Sequence, residues 1–203
     1  MNNKKNKFLP FIIFLMIFLF NGCATIVYKT IPLRNIAKAK GPYFVGTQNF
    51  QIVDASRKIW FSGDIIGSRK LSVKMWYPAD NITSLKKAPY LNKHKLIGSA
   101  ISKLFGVPEA LMDRAGGVKC NSWLNAVPAN GKFPIIIYSH GHQSIKIANT
   151  SQAEEMASNG YIVIAMDHSY DAALTILDED KIIYSRSKLP ANDDEALQDS
   201  MIL

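Results

Sequence analysis

The sequence predicts an α/β fold, a mostly parallel sheet with flanking helices, and three observations predict it. Phe133-Pro134-Ile135-Ile136-Ile137-Tyr138 and Tyr161-Ile162-Val163-Ile164-Ala165-Met166 are continuous apolar runs rich in β-branched residues. Strands apolar on both faces belong inside a parallel sheet covered by helices. Between the two runs, Ala148, Ala153, Met156 and Ala157 lead to Asn159-Gly160, one crossover helix ended by a glycine cap. Upstream, Leu71, Val73, Met75 and Tyr77 alternate with Ser72, Lys74 and Trp76 as far as Pro78, the period of two of a strand.

The elements follow in order from a leader at residues 1–22. Lys4, Lys5 and Lys7 precede an apolar run of 13 residues from Phe8 to Phe20, a positive segment and then a short hydrophobic one. A helix needs about 20 apolar residues to cross a hydrocarbon core, so the run predicts a signal peptide rather than a permanent span. Leu19-Phe20-Asn21-Gly22-Cys23-Ala24 resembles a bacterial lipobox, which makes Cys23 the site of lipidation. The expected location is outside the cytoplasm, held to a membrane by the lipid anchor, at the cell surface or in the periplasm. Residues 23–40 read as a tether.

Losing the three leader lysines takes the formal charge from +8 to +5. The remaining basic residues, among them Arg34, Lys38, Arg57, Lys58, Arg69 and Lys70, are scattered and not interleaved with stacking aromatics, so nucleic acid is not an expected partner. A mildly basic chain suits an anionic membrane surface beside its anchor. With Cys23 lipidated, only Cys120 remains, and no internal disulfide is possible.

Gly41 to Thr47 reads as an extended segment. Phe50 and Ile52 alternate with Asn49 and Gln51 in a first strand candidate, which pairs with the Leu71–Tyr77 strand as an antiparallel hairpin. Leu96, Ile97, Ala100, Ile101, Leu104 and Phe105 recur at helical spacing and stop before Gly106, an amphipathic helix covering the sheet or its own neighbours. Asn121 to Gly131 is turn-rich. Beyond Met166 come a short strand candidate at residues 182–184 and a helix start at residues 192–195.

In open α/β sheets ligands bind beyond the carboxyl ends of the parallel strands, which here are Ser139-His140-Gly141-His142-Gln143-Ser144 and Asp167-His168-Ser169-Tyr170-Asp171. Three of the four histidines lie there. His140, His142, Asp167, His168 and Asp171 could be read as metal ligands, a weaker reading than the one the loop itself suggests. A His-Gly turn after the third strand resembles the oxyanion loop of α/β-hydrolases. By that resemblance the backbone N–H of His142 is the donor, Gly141 permits the turn, and the His140 imidazole folds back on the loop.

Three stretches together resemble the platelet-activating-factor acetylhydrolase family. They are Gly41 to Thr47, Phe133 to Gly141, and Gly160 to His168, in this order. The resemblance implies an α/β-hydrolase domain over residues 41–203 and strand order 1-2-4-3-5-6. It also implies a serine-type carboxylic ester hydrolase acting on a phospholipid or small ester, without cofactor or metal, in which Asp167 and His168 shape the site.

The nucleophile elbow G-x-S-x-G is absent. Serine nucleophile, base and acid are therefore not assignable, and the expected domain is the N-terminal part of the fold, a fragment lacking the elbow strand and later ones. One face of Ile135 to Ile137 should then lack cover. The alternative from another class is a non-catalytic, lipid-anchored surface binding protein.

Overall fold

The hairpin expected from alternation organises the sheet. In the computed structural model, which describes residues 36–58 and 67–186, β1 (Phe44–Lys58) and β2 (Ser68–Asn81) pair antiparallel from Phe44 against Ala79 to Asp54 against Arg69. The extended segment and the first strand candidate are thus one strand. The leader, Cys23, most of the tether and the helix start at 192–195 lie outside the described residues.

Seven strands form the main sheet, in the order β3-β4-β1-β2-β7-β6 with β5 against β2. They include β3 (Lys87–Pro89), β4 (Lys119–Leu124), β5 (Val127–Pro128), β6 (Ile135–Ser139) and β7 (Ile162–Asp167). The run β1-β2-β7-β6 is the first part of the expected 1-2-4-3 order. β2 is antiparallel to β1, β5 and β7, while β4 is parallel to β1, β6 is parallel to β7 and β3 is antiparallel to β4. Five of the seven strands therefore point one way.

The excursion after β2 holds more structure than its sequence suggested. α1 (His94–Phe105) is the expected amphipathic helix and stops at Gly106, whose left-handed φ of 65° suits a residue without Cβ. α2 (Glu109–Gly116) packs against it. The stretch thought turn-rich contributes β4 and β5 instead, because pairing to β1 and β2 satisfies backbone groups whatever the local propensity. Ile97 of α1 joins Leu91 and Ile147 in a small core with Ile145 and Ile176, so the helix covers the loop beyond β6.

α3 (Thr150–Ser158) is the crossover helix, ended at Asn159 and Gly160, with Gly160 at φ 93°. Its Ala153 and Ala157 pack on Val45, Trp76, Val163 and Ala165 in the main core. Glu154, fully buried on the same helix, accepts hydrogen bonds from the N–H of Asn121 at 3.0 Å, the N–H of Ser122 at 2.8 Å and Asn121 Nδ2 at 3.0 Å, tying α3 to β4. Gly41 docks on the far end of α3, donating to Ser158 Oγ at 3.0 Å. A Cβ there would sit 2.1 Å from the Ser158 carbonyl oxygen, so the close approach requires glycine.

Burial along β1 and β2 does not follow polarity. Phe50, Ile52 and Val53 are exposed, because beyond Thr47 β1 has no outer neighbour among the described residues. Conversely Lys74 is buried on the same face of β2 as Trp76. On β6 the expectation is met: Ile136 and Tyr138 pack on the core, while Ile135 and Ile137 on the other face are 61% and 70% exposed. The strand expected at 182–184 is β9 (Ile182–Tyr184), paired with β8 (Leu174–Ile176) in a separate two-stranded sheet.

Candidate active site

The loops after β6 and β7 lie side by side because these strands are parallel neighbours, with Ser139 opposite Met166. Four hydrogen bonds join them. Ser139 Oγ and His168 Nε2 share a hydrogen bond of 2.7 Å. The backbone N–H of His168 donates to His140 Nε2 at 3.2 Å. Asp167 accepts from the backbone N–H of Lys146 at 2.7 Å and from its ammonium at 2.5 Å.

His140 is buried and wholly engaged. Because Nε2 accepts a backbone hydrogen bond, the ring proton sits on Nδ1, which donates to the Gly141 carbonyl at 2.8 Å. The imidazole folds back on its own loop and fixes the direction of the Gly141 carbonyl. Neither ring nitrogen is left for a metal ion, and among the described residues no three His, Cys, Asp or Glu side chains converge to hold one.

The turn itself differs from expectation in one respect. Gly141 has no left-handed φ, and a Cβ there would meet nothing within 4 Å. The left-handed residue is Gln143, at φ 52°, and the Ser144 N–H closes the turn on the Gly141 carbonyl at 2.9 Å. Glycine at 141 is therefore not demanded by the backbone; what it leaves is open space above the loop.

His142 sits at the top of this turn. Among the described residues its backbone N–H meets no acceptor, so it is available to an incoming oxygen. Its imidazole Nδ1 lies 3.5 Å from an Asp171 carboxylate oxygen, holding the ring toward the second loop. Sequence reasoning placed all five of His140, Gly141, His142, Asp167 and His168 in two loops, and the structure brings those loops together.

It missed Ser139 and Lys146. Ser139 was in view, but nothing in its spacing told of His168. Lys146 lies beyond the turn, where no motif marks it. The His168 pKa is lowered below the usual 6.5 by burial first, then by His140 and Arg69, against the pull of Asp171 and Asp167. A neutral His168 hydrogen-bonded to Ser139 resembles part of a nucleophilic pair, in which a third group would orient the imidazole. Cys120 is no alternative nucleophile: burial pushes its thiol up to about 12.

The mixed sheet, the crossover helix and the glycine turn beyond β6 define an α/β-hydrolase scaffold of the esterase kind. A solved structure described as "Ferulic acid esterase from Streptomyces cinnamoneus at 2.4 A resolution" superposes with a TM-score of 0.65 at 27% identity, covering 82% of this chain and 46% of that one. The sequence profile of "Platelet-activating factor acetylhydrolase, isoform II" matches residues 29–196, and the chain belongs to that family. The platelet-activating factor acetylhydrolase of Gallus gallus is 26% identical over 144 residues, 68% of this chain and 31% of the chicken protein. The chain thus spans about a third of this curated relative and under half of the esterase.

Proposed function

We propose that this chain supplies the oxyanion half of a serine-type carboxylic ester hydrolase that releases short or oxidised acyl groups from phospholipids. The carrying observation is the His142 backbone N–H, without an acceptor at the end of β6 and aimed by a loop that His140 and Asp167 pin. A preorganised N–H at that place stabilises the negative charge that develops on the carbonyl oxygen of an ester under attack. The attacking serine, its base and its acid belong to sequence this chain does not contain, since G-x-S-x-G is absent.

In this reading the chain alone is inactive, and Cys23 carries a diacylglyceryl anchor that holds the protein at the membrane of an exported compartment, near its lipid substrate. Among the described residues no helix is long and apolar enough to cross a membrane.

Three experiments test the proposal. The nucleotide sequence following the codon for Leu203 should encode a G-x-S-x-G strand and turn, and intact downstream sequence encoding anything else removes its main support. In the longer protein, His142→Pro deletes the N–H and should lower kcat by about 10²–10³; unchanged kcat would exclude His142 as donor. Cys23→Ser should release the protein from membranes, and retention would count against the anchor.

A further inference from the structure

Lys74 lies in the middle of β2 at 2% exposure, and its ammonium makes no hydrogen bond or ion pair among the described residues. Its one close contact is a ring, with Nζ 4.9 Å from the centroid of Trp76. The carboxylate nearest in electrostatic effect, Glu154, is committed to Asn121 and Ser122. Burial lowers the Lys74 pKa, Cys120 and Glu154 raise it, and Lys146 lowers it. An ammonium held out of water without a partner is costly, and proteins retain one where something pairs with it.

Beside it is a cavity of about 160 Å³, smaller than the roughly 300 Å³ at which typical ligand pockets begin. Lys74 and its cross-strand neighbour Asn49 line it, as do Ile97, Ile147 and Ile176, which share a small core. Three lysines line it, but Lys146 is bound to Asp167 and Lys93 to Asp180. Asp178 lines the wall as an exposed residue, and Tyr90 completes the titratable groups there. Among the buried groups of the wall the positive charge of Lys74 is left without a carboxylate, while Asp178 faces solvent. His140 and His142 do not line the space.

We propose that this cavity binds a small monocarboxylate with a short apolar tail, its carboxylate on Lys74 Nζ and its tail among Ile97, Ile147 and Ile176. One buried cation without a buried carboxylate calls for one negative charge, and the isoleucines exclude a ligand polar on every side. The volume admits a chain of a few carbons. The inference does not rest on ester cleavage, since no nucleophile takes part, although Lys146 and Asp167, which brace the oxyanion loop, also line the space.

The test is thermal denaturation of the purified protein, with carboxyl-labelled butyrate followed by NMR. Butyrate should raise Tm, while uncharged butyramide and inorganic phosphate should not. Lys74→Met keeps the apolar stem and should fold at least as well, since it removes a buried charge, yet bind butyrate roughly ten- to a hundredfold more weakly. Ile97→Trp, which fills the apolar end and spares Lys74, should show the same loss, and it carries the test if Lys74→Met does not fold. No butyrate effect on the wild type, equal effects of phosphate or butyramide, or butyrate binding that survives either substitution would overturn the proposal.

Discussion

The backbone N–H of His168 points at Nε2 of His140 from 3.2 Å, and this contact sets the tautomer of the oxyanion loop. A ring nitrogen that accepts cannot also carry the proton, so the other nitrogen must, and it spends that proton on the Gly141 carbonyl. The end of β7 thereby dictates the shape of the turn after β6. His140→Phe preserves ring volume and breaks both bonds at once. It should cost about 1–3 kcal/mol, read from the urea midpoint at constant slope. Stability equal to that of the wild type would mean that His140 is only filling space.

His168 gives the same junction a pH dependence. Its folded pKa is lowered, so in the window from 6.5 down to the folded value the unfolded chain binds the extra proton and the native state does not. Stability from this group is fully present above pH 6.5, falls as pH drops through that window and is flat below it. An NMR titration should place the His168 midpoint below 6.5, and His168→Asn should flatten the stability profile in that window. A midpoint at or above 6.5 would contradict the burial argument.

Glu154 is the other buried acid on which the fold turns, because its two oxygens take both backbone N–H groups that β4 offers to α3. Glu154→Ala orphans them in the interior and should cost roughly 2–5 kcal/mol. Glu154→Gln keeps one oxygen but turns an amide NH₂ toward a donor, so it should be intermediate. If Gln were as damaging as Ala, shape rather than acceptance would be the reason for the residue.

Much of this was legible because it depends on period and turn chemistry. The runs that became β6 and β7 are apolar on both faces, and Asn159-Gly160 marks the end of α3 in sequence and structure alike. The unread part depends on partners distant in the chain. β4 and β5 are strands because β1 and β2 give them something to pair with. Among the described residues Phe50 and Ile52 lack an outer neighbour, which no local pattern records. Lys74 offered one clue, since Trp76 shares its parity on β2, and a face carrying tryptophan is seldom left to water. In the site, His140 could be placed from the loop resemblance, whereas Ser139 and Lys146 acquire meaning only when β7 lies alongside.

The uncovered strip on β6 bears on how the chain behaves in solution. Ile135 and Ile137 stand exposed on the face opposite α3, and beyond the pairing of Ile137 with Ile164 the outer backbone edge of β6 has no partner among the described residues. An apolar strand with an open edge is a template for another strand. The chain should therefore self-associate as its concentration rises, seen as growing apparent mass in sedimentation or light scattering. Ile137→Lys places a charge on that strip, where a surface substitution changes stability by only about 0.5 kcal/mol. It should reduce association while leaving Tm nearly unchanged. Association unaffected by the lysine would show that contact is made elsewhere, and a collapse of Tm would show that Ile137 is held in a core after all.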